Sequence, residues 1–396
     1  MDLFDKCAAF HRPEELKQLG IYPYFHPIAE SEGTEVQIDG KRFLMVGSNN
    51  YLGLTHDPRV QQAAIEAIQQ LGSGCTGSRF LNGTLELHEE LERRLAQFLG
   101  KESALVFTTG FQTNLGVISS LVGRGDTIFT DRENHASIMD GCRLGFGEIK
   151  KFRHNDMEEL RKILQANQAS RRGGQLIVVD GVFSMLGDLA DLPVITQLAE
   201  EFGARILVDD AHSVGVLGAS GRGTAEHFDL EDKVDLILGT FSKSFGSIGG
   251  YVAGDAEVVD YIKHHARSMI FSASLPPASV AATLKALDII EAEPERRERL
   301  KENANFLRSA IQELGFDTGP SQTPIIPILI GDQEATFHFW KKLYEAGLFT
   351  NPVTTPAVPP GMDLIRTSVM ATHTRDQLEE IRDIIGEVAR KLRLVA

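Results

Sequence analysis

Apolar residues along this chain follow two alternating rhythms. From about residue 49 to 285, short runs that are apolar nearly throughout recur: Ala104-Leu105-Val106-Phe107, Thr127-Ile128-Phe129, Leu176-Ile177-Val178-Val179, Ile206-Leu207-Val208 and Leu236-Ile237-Leu238. A half-exposed strand alternates apolar and polar positions, whereas runs like these suit strands buried on both faces of a parallel sheet. Between them lie stretches with helical spacing, such as Leu87, Leu91, Leu95 and Phe98 with charges interspersed. The pattern predicts an α/β fold, with residues 49–285 forming a large domain whose mostly parallel sheet is flanked by helices.

The two ends of the chain read differently. Residues 1–48 predict an arm, with a helix over Arg12 to Leu19 and the aromatic segment Tyr22-Pro23-Tyr24-Phe25. A hairpin follows, Glu35-Val36-Gln37-Ile38 and Arg42-Phe43-Leu44-Met45, turned by Asp39-Gly40. Residues 286–396 predict a smaller α+β domain. Its elements are a charged helix from Pro294 to Leu314, a strand from Ile325 to Ile330 and a helix from Glu334 to Ala346. A proline-rich loop from Pro352 to Pro360, a strand from Leu364 to Val369 and a closing helix from Arg375 to Leu392 complete it.

Composition narrows the function classes. A chain of 396 residues exceeds one simple core and suits a large domain with a smaller one attached. The net charge of −15 argues against nucleic acid as a partner, because phosphate backbones repel such a surface. The short basic pair Arg171-Arg172, beside Gly173-Gly174, reads as a solvated loop. Cys7, Cys75 and Cys142 are odd in number and widely spaced, so a reducing cytoplasm is expected rather than a disulfide framework. Charges throughout the first twenty residues exclude a signal peptide, and no apolar stretch is long enough to span a bilayer.

The chemistry gathers where the apolar runs end. Leu236-Ile237-Leu238 leads into Gly239-Thr240-Phe241-Ser242-Lys243-Ser244, and Ile206-Leu207-Val208 ends in Asp209-Asp210-Ala211-His212. Asp209 and Lys243 are separated by 34 residues (243 − 209), one strand–crossover–strand unit, so both can reach one sheet edge. An amine that forms a Schiff base and an acid that keeps a pyridinium nitrogen protonated are what pyridoxal phosphate needs. Thr240, Ser242, Ser244 and Ser247 offer hydroxyls to a phosphate, and Gly246, Gly249 and Gly250 allow close backbone approach. A carboxylate ending a buried run is costly unless partnered, which a pyridinium would resolve.

Other strand ends carry weaker signals. Thr109-Gly110-Phe111 opens a helix whose free N–H groups suit a phosphate, or is an ordinary strand-to-helix turn. His135, in Asn134-His135-Ala136-Ser137, stacks on a cofactor ring or simply starts a helix. Ser184 either bonds a cofactor oxygen or forms a turn. Arg366 interrupts an apolar strand, either to grip a substrate carboxylate or to make an edge salt bridge. Gly72-Ser73-Gly74-Cys75-Thr76-Gly77 matches a dinucleotide fingerprint in letters only, since a helix precedes it and a loop follows. No zinc motif is present: His264 and His265 are adjacent and point apart on a helix.

Taken in order, Ser48-Asn49-Asn50-Tyr51-Leu52-Gly53-Leu54, Gly77-Ser78-Arg79, Asn134-His135-Ala136-Ser137, Asp209-Asp210-Ala211-His212-Ser213 and Thr240-Phe241-Ser242-Lys243 resemble the α-oxoamine synthases, within fold-type I pyridoxal phosphate enzymes. The resemblance covers nearly the whole chain. It implies an acyltransferase that joins an amino acid to an acyl-CoA with loss of carbon dioxide. It implies Lys243 as Schiff-base lysine and general base, His135 stacked on the ring, Asp209 on the ring nitrogen, and His212 and Ser184 on the phenolic oxygen. Gly110, Phe111, Thr240 and Ser242 would take the phosphate, and Arg366 the substrate carboxylate. Sites would be shared across a homodimer, with Asn50 and Ser272-Ala273-Ser274 reaching in from the partner; Ser78 and Thr355 are expected beside the substrate.

Three segments refine the resemblance: the arm Gly20-Ile21-Tyr22-Pro23-Tyr24-Phe25-His26-Pro27-Ile28, the loop from Gly74 to Thr84, and Asn351-Pro352-Val353-Thr354-Thr355-Pro356-Ala357-Val358-Pro359. They fit the branch that condenses L-serine with a long-chain acyl-CoA better than the branches using glycine or alanine. Leu186 departs from the family, which usually carries an acid between Met185 and Gly187. A class I aminotransferase, which needs no CoA, and a catalytically idle dimer partner are the more distant readings; intact Lys243, Asp209 and His212 count against the latter. A lipid-precursor product also implies loose contact with the inner membrane.

Overall fold

Every apolar run singled out between residues 104 and 238 is a strand of one seven-stranded sheet. The computed structural model describes residues 2–169 and 172–395, so Arg171 of the basic pair lies outside the described residues. In chain order the strands are β1 (Ser103–Phe107), β2 (Thr127–Asp131), β3 (Glu148–Phe152), β4 (Gln175–Asp180), β5 (Arg205–Asp209), β6 (Leu236–Thr240) and β7 (Gly250–Gly254). Across the sheet they run β1-β7-β6-β5-β4-β2-β3. Neighbours from β6 to β3 are parallel, and β7 alone is antiparallel to both its neighbours. Inserting one reversed strand leaves β1 pointing the same way as β6. The carboxyl ends of six strands therefore share one edge, with the start of β7.

Burial explains why the central strands read as unbroken apolar runs. Ile177, Val178, Val179, Leu207 and Val208 are wholly buried, with helices on both faces of the sheet. One face packs Leu105, Phe107, Ile128, Val178, Leu207 and Val252 against Val117 and Ile118 of helix Gly110–Leu121, Ile138 of helix Ala136–Leu144 and Ile262 of helix Ala256–His265.

Two strands of this sheet were not expected from the sequence. β3 is an edge strand whose Glu148, Lys150 and Lys151 interrupt its apolar character. β7 begins and ends in glycine, which disguises a wholly buried strand. Asn351–Val353, placed by the sequence reading largely in the proline-rich loop, is also a short strand, paired with Leu364–Ser368. Its Pro352 is tolerated on a strand at the edge of a sheet.

The chain divides into two units, residues 49–301 and residues 1–48 with 302–396. The sequence-based division at 285/286 falls inside one helix, Pro277–Ala292, which packs against helix Pro58–Leu71 of the larger unit. The smaller unit carries the hairpin Glu35–Ile38 and Lys41–Met45, with Asp39 and Gly40 both at positive φ, as a two-residue turn of this kind requires. Leu348–Phe349 pairs in parallel with Lys41–Met45. A second sheet orders Ile325–Leu329, Leu364–Ser368 and Asn351–Val353. The closing helix Arg375–Leu392 starts in a reciprocal cap between Thr374 and Gln377. Among the described residues no helix is long and apolar enough to cross a membrane.

Candidate active site

A cavity of about 330 Å³ opens at the shared carboxyl edge of the large sheet. Five of the six carboxyl strand ends contribute to it. Thr109, Gly110 and Phe111 follow β1, His135 follows β2, and Ser184 follows β4. Asp209 and His212 come from the end of β5, and Thr240, Ser242 and Lys243 from the end of β6. Nine residues that the sequence singled out as cofactor-binding or catalytic thus line one space, because parallel strands deliver successive loops to the same edge.

Asp209 is buried and held from two sides. Asn114 Nδ2 donates to its Oδ2 at 2.7 Å, and the Ala211 amide donates to its Oδ1 at 3.0 Å. The same Asn114 Nδ2 donates to Ser137 Oγ at 2.9 Å, and Ser137 Oγ lies 2.7 Å from His135 Nδ1. A carboxylate only accepts, so the amide of Asn114 must face Asp209 with its nitrogen. With Ser137 Oγ accepting from Asn114, its own proton is directed to His135 Nδ1, which also accepts from the Ser137 amide at 3.2 Å. His135 is thereby fixed as the neutral tautomer protonated on Nε2. Its ring stays open to the cavity, yet the protein around it disfavours charge; this desolvation outweighs the attraction of Asp209, and the pKa falls below the ordinary histidine value.

A second buried carboxylate, Asp180, ends β4 directly across the ladder from Asp209. It accepts the His135 amide at 2.7 Å. Burial first, and the nearby Asp209 second, raise the Asp180 pKa well above the usual carboxylate range. Asp210 turns away from the cavity and caps Thr224, whose amide and hydroxyl donate to it at 2.9 and 2.6 Å. His212 Nδ1 lies 2.6 Å from the Tyr51 hydroxyl.

Where β1 meets the cavity, helix Gly110–Leu121 is capped by Thr109, whose hydroxyl accepts the Gln112 amide. A Cβ on Gly110 would come within 2.9 Å of Thr240 Oγ1, so only glycine brings this helix start against β6. Thr240 Oγ1 and Ser242 Oγ are 2.9 Å apart. Of the four hydroxyls around Lys243 only these two line the cavity. Ser247 Oγ instead donates to the Ser279 carbonyl, and Ser244 is buried away from the cavity.

The remaining expected residues lie elsewhere. Ser272 Oγ accepts from Gln112 Nε2, and Ser274 Oγ donates to the Gly77 carbonyl; neither lines this chain's own cavity. Asn50 donates to Thr55, and Ser78 is buried with its Oγ lacking a hydrogen-bond partner among the described residues. Arg366 is buried in strand Leu364–Ser368 of the smaller unit, and Thr355 follows strand Asn351–Val353 there.

Sequence reasoning gave no role to Asn114, Ser137 or Asp180. One signal existed for Asn114: asparagine is a poor residue for a helix interior unless its amide has a partner. Among the described residues no cluster of three or more His, Cys, Asp or Glu side chains is arranged to hold a metal.

This donor set fits pyridoxal phosphate. It offers an amine, a carboxylate held in place by an amide, an imidazole of fixed tautomer, and a helix start that only glycine allows so close to the Thr240 hydroxyl. The profile of the aminotransferase class I and II family matches residues 41–385. A serine palmitoyltransferase of Sphingobacterium spiritivorum is 55% identical over 378 residues, 96% of this chain and 94% of that protein. An 8-amino-7-oxononanoate synthase of Thermoanaerobacter pseudethanolicus is 43% identical over 382 residues, 96% of each. Among solved structures, a serine palmitoyltransferase from S. paucimobilis with PLP–myriocin bound superposes with a TM-score of 0.94 at 38% identity, covering 100% of both chains. Site chemistry and kinship converge: the chain belongs to the aminotransferase class I and II family, among its pyridoxal-phosphate-dependent α-oxoamine synthases.

Proposed function

We propose that this chain is a serine palmitoyltransferase. It condenses L-serine with palmitoyl-CoA to 3-ketodihydrosphingosine, releasing CoA and carbon dioxide, the first step of sphingolipid synthesis. The observation that carries the reading is Lys243, Asp209 and His135 around one cavity, in a chain 55% identical to a serine palmitoyltransferase over nearly its whole length. A glycine- or alanine-using synthase is the second reading, favoured by the 43% identity to the 8-amino-7-oxononanoate synthase.

Bound pyridoxal phosphate supplies an electron sink for the carbanion formed at the serine α-carbon. Lys243 would anchor the cofactor through its amine and, with that amine free, would remove the serine α-proton. Asp209, oriented by Asn114, holds the proton on the ring nitrogen. His135, protonated on Nε2, would pack against the cofactor ring, and His212 and Ser184 would hold its phenolic oxygen. Gly110, Phe111, Thr240 and Ser242 hold the phosphate at the helix N-terminus. Arg366 takes the serine carboxylate in a bidentate grip, with Asn50, Ser78 and Thr355 on the substrate side.

The working form is a homodimer with shared sites, Asn50, Ser272 and Ser274 serving the partner's cavity. Exposed Phe80, Leu81 and Phe271 support this, since they sit on the two segments that the Ser274–Gly77 hydrogen bond ties together. The enzyme works in the cytoplasm with loose contact at the inner membrane, where its lipid-like product partitions.

Purified protein mixed with pyridoxal phosphate should gain a visible absorbance band. Lys243→Ala should lose that band together with activity. CoA release should be fastest with serine and a sixteen-carbon acyl chain. A wild type that stays colourless refutes the cofactor assignment, and a preference for alanine or glycine with a shorter acyl-CoA transfers the chain to the second reading.

A further inference from the structure

His154 lies outside the cavity, on the loop after β3, between Asp131 at the end of β2 and Asp188 in the loop after β4. Its Nε2 is 2.9 Å from Asp188 Oδ2 and its Nδ1 is 3.3 Å from Asp131 Oδ1. Carboxylate oxygens only accept, so both ring nitrogens must donate and the imidazole is a cation. Burial works against that charge, but the hydrogen bonds to Asp131 and Asp188 outweigh it and raise the pKa to about 10. Its ring also meets Phe183 edge-on, with centroids 4.4 Å apart.

Each carboxylate belongs to a segment that feeds the cavity. Asp131 organises the turn leading to His135: its Oδ1 accepts the Glu133 amide at 2.8 Å, and its carbonyl accepts the Asn134 amide. Asp188 closes the loop carrying Ser184, where its carbonyl accepts the Phe183 amide at 2.9 Å and Val182 bridges to Leu189. Asn155, at positive φ, reinforces the junction: its amide donates to Asp131 Oδ2 and its side chain to the Leu189 carbonyl, each at 2.8 Å. Without His154 the two loops would face each other with buried carboxylates and no cation between them.

We propose that His154 is a positioning residue that clamps the His135 turn to the Ser184 loop, setting two sides of the cofactor pocket at once. The inference rests on the proposed cofactor roles of His135 and Ser184.

The test uses His154→Gln, Ser184→Ala and the double variant, each titrated with pyridoxal phosphate and followed by its visible absorbance bands. His154→Gln should weaken cofactor binding about tenfold, the order expected when a buried polar partner is lost. It should also shift the ratio of the visible bands as Ser184→Ala does. The double variant should lose less than the sum of the two single losses, because the part of the His154 effect that passes through the Ser184 loop is already gone in Ser184→Ala. Asp188→Asn, which keeps the shape and removes the charge, should reproduce the effect if His154→Gln fails to fold. Wild-type affinity and band ratio in the folded variant, or fully additive losses in the double, would overturn the clamp. A wild type that takes up no pyridoxal phosphate would sink the site reading and this inference with it.

Discussion

The side-chain amide of Asn114 reaches across from helix Gly110–Leu121 to donate to Asp209 Oδ2 at 2.7 Å. That contact joins the helix whose start lines the cavity at Gly110 and Phe111 to a carboxylate that lines the same cavity. Through Ser137 it also sets the protonation of His135. Asn114→Leu keeps the volume but leaves two buried acceptors without their donor. The expected stability loss in urea denaturation is about 1–3 kcal/mol, with weaker pyridoxal phosphate binding. Asn114→Asp should be worse, since it sets a second carboxylate against Asp209. Unchanged cofactor affinity in a folded Asn114→Leu protein would disconnect this amide from the site.

Gly250 tests how tightly the first turn of that helix presses on the sheet. A Cβ there would lie 2.5 Å from Thr113 Oγ1 and 2.6 Å from the Gly110 Cα, the latter being backbone that cannot swing aside. Gly250→Ala should cost about 1–3 kcal/mol in thermal or chemical unfolding, in the manner of an overpacked core. It should also displace the helix start and reduce phosphate affinity, read by titration with inorganic phosphate or pyridoxal phosphate.

Arg79 and Glu92 form a nearly buried two-pronged ion pair, at 2.7 and 3.0 Å, and Glu92 also accepts the Val106 amide of β1. This pair pins the loop after Gly72 to the sheet. Arg79→Met strands the carboxylate, with an expected loss of about 3–5 kcal/mol. Arg79→Lys keeps the charge, loses the fork and should fall between the two. Equal stability of Arg79→Met and wild type in urea would show that the pair contributes nothing net.

Two histidines should shape opposite limbs of the pH–stability curve. His373 is buried with Nδ1 accepting the Met370 amide, and its burial lowers its pKa to about 4. Between an unfolded value near ~6.5 and about 4, the unfolded chain binds the extra proton, so stability falls as pH falls through that window. His154 behaves in the opposite sense. Burial opposes its charge, but Asp131 and Asp188 raise its pKa to about 10. Its contribution is therefore whole below ~6.5 and lost as pH rises toward 10. Urea midpoints across this range should show His373→Asn flattening the acid limb and His154→Gln the alkaline limb, each by up to ~1.4 kcal/mol per pH unit. Swapped or absent effects would refute the assignment.

Much of the cavity is legible in the sequence. Strands buried on both faces announce themselves as unbroken apolar runs, and a chemically distinctive residue just past such a run can only lie at the sheet's carboxyl edge. Lys243, Asp209, His135, Ser184 and Thr240 all followed from that rule. Hydroxyls close in sequence were harder to separate: Ser242 lines the cavity, whereas Ser247 bonds the Ser279 carbonyl, because a loop leaving a strand soon turns its side chains elsewhere.

The order of residues by itself decided the α/β layering, the strand ends that carry chemistry and the nature of the reacting groups, since these depend on local periodicity and on functional-group identity. Tertiary structure alone decided that β7 runs backwards between β1 and β6, that Asn114 orients Asp209, and that a histidine outside the cavity bridges two of its loops. Those relationships join residues far apart in the chain. Local pattern cannot encode them, because they arise from packing distances and from the need to satisfy every buried donor and acceptor.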